Sequence, residues 1–354
     1  MAASSAETKS PGGFSRWWTR TSSSRTAWLY LIPAFLVMGL ITFYPLFYQV
    51  WMSTTDYGIT NLRVDSPLPN RADQSEACQT NMKGECTWGF LENYRQIFTG
   101  NLPVAIANFN FWKVLAFNLI WTFTNVPIHV IMGVLIAVVL NTKGLWFRSV
   151  YRAIYVLPIV IPSLVVAVVW RNMFDSDFGA INQMLTSVSQ LVGGGPVTWR
   201  WLDQIDPPIP LLGLPLSFYA LLLANMWLGW PFMCIVATGA LQSIPGDLYE
   251  AASIDGANGR QQFFSITMPL LKPAIIPAAV LGMITTFNLF NLIYLLSSGG
   301  PLRQTEILVT TAYRLVNENR LYGVAAAFSV IIFLVLLILT LTTNRITRAT
   351  EGAA

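Results

Sequence analysis

Six long runs of apolar residues dominate this 354-residue sequence and restrict the folds that it can adopt. Each run has about 20 residues or more, enough for a helix rising 1.5 Å per residue to cross a hydrocarbon layer about 30 Å thick. Only 11% of the residues are charged, whereas a soluble domain carries about a quarter. We therefore predict an all-α polytopic membrane protein with six transmembrane helices. The predicted spans are 28–52, 111–140, 150–174, 214–241, 273–296 and 321–343.

The distribution of charge between the loops gives these spans a direction. Basic residues outnumber acidic ones on the side that holds both termini, the 142–152 turn and the 242–272 loop. Loops rich in lysine and arginine stay in the cytoplasm, so we expect this side to be cytoplasmic. The predicted divisions are a cytoplasmic tail at 1–27, a membrane domain at 28–343 with an external loop at 53–110, and a cytoplasmic tail at 344–354.

Two features are predicted on the external side. Cys78 and Cys86 lie in the 53–110 loop, where they either form a disulfide in an oxidising compartment or remain two free thiols. Apolar residues between positions 178 and 191 recur with helical spacing, which predicts an amphipathic helix at the membrane surface. The single histidine and three cysteines give no metal-site pattern.

The loop at 242–272 has the pattern of two short helices joined at a glycine. Gly256 permits a backbone conformation that other residues resist. Asn258, with Gln261 three residues later, has the spacing of a capping box at the start of the second helix. We expect Pro269 to end that helix before the next span begins.

This loop resembles the EAA loop in permease subunits of binding-protein-dependent ABC importers. That pattern is Glu-Ala-Ala, a glycine four residues later, an isoleucine ten residues after the glycine, and then Leu-Pro. Met268 replaces the leucine here, while Asp255 and Phe263 fit the branch that imports sugars. The candidates that the resemblance gives for coupling to an ATPase are Glu250, Ala251, Ala252, Asp255, Gly256, Ile266 and Pro269.

The resemblance implies a type I ABC importer permease in the cytoplasmic (inner) membrane of a bacterium, with both termini in the cytoplasm. The implied partners are a second homologous permease subunit, a dimer of cytoplasmic ATPase subunits and an extracytoplasmic sugar-binding protein, with no nucleic acid. The chain has no Gly-Lys-Ser/Thr loop for phosphate. We therefore expect ATP and Mg²⁺ on the ATPase partner, and a transporter subunit with no catalytic residue, cofactor or metal of its own.

Two predicted spans carry polar groups among apolar residues, where such groups usually serve helix packing or transport. The segments 225–232 and 282–301 resemble maltose-type permeases, although positions 282, 285, 286 and 289 differ from the Ser, Phe, Asn and Asn of those relatives. His129 either lines the same pathway or is a hydrogen-bonded packing residue. The sugar contacts that the resemblance implies are Asn225, Leu228, Gly229, Phe232, Gly282, Thr285, Thr286 and Leu289, with Asn288 beside them.

The predicted function is import of a disaccharide or oligosaccharide, such as maltose, maltodextrin or trehalose, driven by ATP hydrolysis in a separate subunit. An ABC permease for another small polar solute, such as glycerol-phosphate, is the alternative, but it should place arginine or lysine on the pathway. An ion-coupled secondary carrier should have carboxylates inside its spans, and a channel should have a filter or a charged ring. The predicted span interiors contain neither.

Overall fold

The computed structural model describes residues 23–59, 91–102, 106, 109–142, 144–205 and 213–351, and every regular element within these ranges is a helix. Cys78 and Cys86 lie outside the described residues, so the disulfide stays a prediction. The chain divides into two units, residues 1–52 and residues 53–354.

The described part of the first unit is one long apolar helix. It consists of α1 (Ser23–Met38), a π-helical turn (Gly39–Phe43) and α2 (Tyr44–Met52). The stretch from Trp28 to Met52 is long and apolar enough to cross a membrane. Its large apolar side chains, such as Leu40 and Phe47, are exposed, as expected of a helix that faces lipid or another subunit.

The second unit contains the remaining described helices, which include the other predicted spans and several shorter elements. A π-helical turn at Phe263–Thr267 joins two of them. The helices are α3 (Glu92–Thr99), α4 (Phe111–Leu140), α5 (Arg148–Val160), α6 (Ser163–Met173), α7 (Ala180–Leu191), α8 (Leu216–Gln242), α9 (Gly246–Ile254), α10 (Gly259–Gln262), α11 (Met268–Phe287), α12 (Phe290–Leu296), α13 (Leu308–Asn317) and α14 (Tyr322–Glu351).

Helices α4 and α8 pack against each other along most of their length and form the centre of the second unit. At Gly133 of α4 the two backbones approach so closely that an added Cβ would lie 2.5 Å from the Cβ of Met233. Helix α11 is fixed to α4 by two side chains that donate to backbone carbonyls. The Asn118 amide donates to the carbonyl of Phe287 at 3.1 Å, and the Trp121 indole to that of Thr286 at 3.1 Å.

The segment at 150–174, which we predicted as one helical span, consists of two helices. Helices α5 and α6 meet at an angle of 95° around Ile161 and Pro162. A proline disfavours helical backbone at the residue before it, and Ile161 is extended, with φ −75° and ψ 126°. Among the described residues, five helices are long and apolar enough to cross a membrane, and this bent pair makes six if it counts as one span.

The prediction that Pro269 ends a helix is wrong. The helical segment runs from Gly259 to Leu296, so this span begins well before the predicted position 273. Pro269 falls in the first turn of α11, directly after the π-helical turn, where a missing backbone N–H is tolerated. The segment is interrupted instead at Asn288 and Leu289, between α11 and α12.

The segment between α12 and α13 is held by a buried carboxylate. Glu306 is 1% exposed and forms ion pairs with Arg314 at 2.8 Å and Arg303 at 3.7 Å. Burial raises the pKa of the Glu306 carboxyl, and the two arginines oppose that rise. The Arg314 guanidinium also donates to the carbonyl of Ser298 at 2.6 Å, so these charges fix the turn that follows the interrupted span.

Candidate functional site

The hairpin at 242–272 has the helix–glycine–helix form that its sequence predicts. Helix α9 ends before Gly256, whose φ of +80° lies in the left-handed region. The capping box is formed, since the Gln261 backbone N–H donates to Asn258 Oδ1 at 3.0 Å and the Asn258 N–H donates to Gln261 Oε1 at 2.8 Å.

Side chains that the sequence analysis did not single out make this hairpin rigid. The Gln262 amide donates to the hydroxyl of Ser253 at 3.0 Å and to the carbonyl of Ala257 at 3.1 Å. Tyr249 and the buried Thr267 share a hydrogen bond of 2.9 Å between their hydroxyls. Helix α9 is therefore tied directly to the base of the α11 span.

The hairpin carries an exposed acid together with exposed apolar groups. Glu250 is exposed and forms no ion pair within the part of the chain that the structure describes. Ile254 is 87% exposed and Phe264 60% exposed. Exposed apolar side chains on a rigid projection are typical of a docking surface. Of the other predicted coupling residues, Ala251, Asp255, Gly256 and Pro269 are exposed, and Ala252 and Ile266 are half-buried.

A cavity of about 410 Å³ lies between α8, α11 and the bend that joins α5 to α6. Its volume falls in the range of small-molecule sites, roughly 300–1,000 Å³. Asn288 is not in its wall, because its side chain turns back to donate to the carbonyl of Ile284 at 3.3 Å. Eight of the nine predicted sugar contacts line the cavity together, namely Asn225, Leu228, Gly229, Phe232, Gly282, Thr285, Thr286 and Leu289.

One wall of this cavity is the segment from Pro158 to Ser163 at the bend, which was not among the predicted sugar contacts. Ser163 begins α6, and its hydroxyl accepts a hydrogen bond of 3.0 Å from the Asn291 amide of α12. The bend and the interruption of the α11 span are therefore linked beside the cavity. Pro158 and Pro162 were the available signal, but prolines occur in most of the predicted spans.

Polar groups between α4 and α8 support the opposite wall. Asn225 is 2% exposed, and its amide donates to Asn125 Oδ1 at 2.7 Å. His129 is a hydrogen-bonded packing residue, since its Nε2 lies 3.0 Å from the carbonyl oxygen of Asn225. It also lines the cavity, while its place on a transport pathway stays a prediction. The imidazole ring also lies directly against Gly229, which leaves no room for a side chain at that position.

The cavity wall carries no lysine, arginine, aspartate or glutamate among the described residues. Its polar side chains are three hydroxyls, one amide and one imidazole, those of Ser163, Thr285, Thr286, Asn225 and His129. Such groups exchange hydrogen bonds with neutral hydroxyl-bearing molecules, but they offer no countercharge to an ion.

The sequence matches the family of binding-protein-dependent transport system inner membrane components over residues 129–351. It is 30% identical to the galactooligosaccharides transport system permease protein GanP of Bacillus subtilis, over 85% of this chain and 65% of GanP. It is 34% identical to the trehalose/maltose transport system permease protein MalF of Thermococcus litoralis, over 71% and 77% of the two chains. For the Escherichia coli maltose/maltodextrin permease protein MalF, the identity is 34% over 73% of this chain and 48% of that protein. The match thus spans about two thirds of GanP and about half of the E. coli protein.

The fold is also found in a solved structure. A chain of a bacterial ABC transporter involved in the import of the acidic polysaccharide alginate superimposes with a TM-score of 0.69 and covers 94% of this chain and 99% of its own. The sequence identity is 19%, so this likeness concerns the fold alone.

Proposed function

Because the chain belongs to the family of binding-protein-dependent transport system inner membrane components, we propose that it is a permease subunit of an ABC importer for a neutral disaccharide or oligosaccharide. The observation that carries the proposal is the 410 Å³ cavity, whose wall unites eight predicted sugar contacts without a charged lysine, arginine or carboxylate among the described residues. The relatives named for galactooligosaccharide and trehalose/maltose transport support the sugar class.

The same cavity disfavours the two alternatives. A glycerol-phosphate permease needs cationic groups that bind phosphate, and an ion-coupled carrier needs intramembrane carboxylates. The described cavity wall offers neither kind of group.

In this proposal the hairpin faces the cytoplasm and docks on one of two ATPase subunits that bind ATP and Mg²⁺. Closure of the ATPases on ATP displaces the hairpin, and the Tyr249–Thr267 hydrogen bond transmits the displacement to the α11 span. That helical segment continues from Gly259 to the cavity wall. A second permease subunit completes the pathway, and an extracytoplasmic binding protein, the partner that gives the family its description, delivers the sugar.

Substrate-stimulated ATP hydrolysis by the complex reconstituted in liposomes tests this function. We expect stimulation when the binding protein is loaded with α-glucosides such as maltose, trehalose or maltotriose. We expect none with glycerol-3-phosphate. Stimulation by glycerol-3-phosphate alone would overturn the sugar assignment.

Replacing Asn225 with alanine is expected to change sugar affinity or preference. The substitution removes a polar group from the cavity wall and leaves Asn125 Oδ1 without its donor. An unsatisfied buried polar group costs about 1–3 kcal/mol. Uptake of each sugar should be measured against concentration, with Asn317→Ala as control. Asn317 is exposed on α13, and within the described residues its side chain bonds only to the carbonyl of Tyr313 in the same helix. Unchanged uptake of every sugar would remove Asn225 from the pathway.

A further inference from the structure

A second cavity, separate from the transport cavity, lies between α4, α5 and α8. It has a volume of about 470 Å³ and shares only Pro158 with the transport cavity among the described residues. Apolar and aromatic side chains form nearly all of its wall, including Ile136 and Val139 of α4, Ile154 and Leu157 of α5, and Trp227 and Trp230 of α8. We call it the lateral groove.

Two arginines, Arg148 and Arg152, lie near the end of the lateral groove that is closest to the hairpin. The groove wall includes Leu140 and Leu145, at the end of α4 and in the turn that follows it. Arg148 begins α5, and its guanidinium donates to Asn141 Oδ1 at 2.7 Å, directly beside Leu140. Arg152 lies one turn further along α5. Because residues three apart share a helix face, Arg152 lies beside Tyr155 of the groove wall, although neither arginine is part of that wall itself.

The guanidinium groups of these arginines have unused hydrogen-bond donors. Arg148 Nε, Arg152 Nε and Arg152 Nη2 are buried, and none has a hydrogen-bond partner in the described structure. Neither arginine forms an ion pair within the described part of the chain. Both arginines are half-buried, and a buried donor nitrogen without a partner is costly. These nitrogens therefore call for an acceptor, and a guanidinium suits the oxygens of a phosphate group.

We propose that an anionic phospholipid occupies the lateral groove, with its phosphate on Arg148 and Arg152 and an acyl chain along α4, α5 and α8. Basic pockets between transmembrane helices on the cytoplasmic side bind such headgroups. Trp146, 81% exposed just before α5, suits the aromatic belt at the level of the headgroups. The proposal rests on the proposed function in one respect only. That function places the hairpin end of the helices on the cytoplasmic side of the membrane.

Lipid binding can be measured without transport, so a failed sugar assay leaves this test intact. The complex is delipidated, titrated with phosphatidylglycerol or phosphatidylcholine, and examined by native mass spectrometry. We expect the wild-type protein to retain phosphatidylglycerol preferentially. We expect Arg152→Ala to weaken that binding by about tenfold or more, as loss of a charge-assisted hydrogen bond predicts. Arg200→Ala is the matched control, because Arg200 is exposed, forms no ion pair within the described residues and lies far along the chain from the groove.

A second variant tests the apolar half of the site without changing any charge. Ile154→Trp fills the groove and should also reduce phosphatidylglycerol binding, which keeps the proposal testable if Arg152→Ala does not fold. Equal retention of phosphatidylglycerol by the wild-type protein and both variants would overturn the proposal, as would equal binding of phosphatidylcholine. An Ile154→Cys variant that cross-links to the second permease subunit at full yield would also overturn it, because a protein helix would then fill the groove.

Discussion

Replacing Glu250 with lysine is expected to abolish transport while the chain still inserts into the membrane. Glu250 is exposed on the rigid hairpin and has no ion-pair partner within the described residues, so its charge is available to a basic group on the ATPase. Loss of one partner from a desolvated charge pair costs about 2–5 kcal/mol, and charge reversal adds repulsion. We expect uptake at background level and ATPase affinity reduced by at least about thirtyfold.

The measurements are sugar uptake by proteoliposomes and recovery of the ATPase with the purified permease. Asp203→Lys is the matched control, because it reverses an exposed acid outside the hairpin. Normal uptake by Glu250→Lys would show that the hairpin does not couple the permease to ATP hydrolysis.

Replacing Gly133 with leucine is expected to destabilise the membrane domain. An added Cβ would lie 2.5 Å from the Cβ of Met233 and 2.8 Å from the backbone nitrogen of Cys234. Because one of these neighbours is backbone, α4 and α8 must separate to accept a side chain. Overpacking typically costs about 1–3 kcal/mol, and thermal unfolding of the purified protein in detergent should report it as a lower Tm.

Sugar uptake by Gly133→Leu should also fall, because Asn125, His129 and Gly133 lie on one face of α4 and the first two support the cavity wall. Gly239→Leu is the control on α8, since nothing lies within 4 Å of an added Cβ there. Equal loss of stability in the two variants would contradict the close α4–α8 contact.

The sequence is sufficient to predict the limits of a helix when apolar residues fill the whole span. Helix α4 has the predicted limits of 111 and 140 because apolar residues fill the span and Asn110 caps its start. The hairpin can also be predicted from the local sequence, because its glycine turn and capping box depend on residues a few positions apart. The set of eight cavity residues came from a family resemblance, and the structure brings them to one place. Their contact with sugar stays a prediction.

The positions at which helices break were not predictable, because the same residue type has opposite outcomes. Pro127 and Pro231 lie inside the continuous helices α4 and α8, whereas Pro162 accompanies a bend of 95°. Tertiary packing decides whether a helix continues or bends at a proline, and the local sequence does not encode that packing. The Tyr249–Thr267 hydrogen bond is likewise formed by residues that only the folded hairpin brings together.

The hydrogen bond between Ser163 and Asn291 joins the bend between α5 and α6 to the break in the α11 span. The backbone N–H groups at these two breaks, those of Ile161, Asn288 and Leu289, all donate to carbonyls of their own segments. Main-chain bonds of this kind do not depend on the side chain that each residue carries. We therefore expect substitutions at positions 282, 285, 286 and 289 to reshape the cavity while both breaks stay in place, so that related permeases can accept different solutes on one main-chain framework.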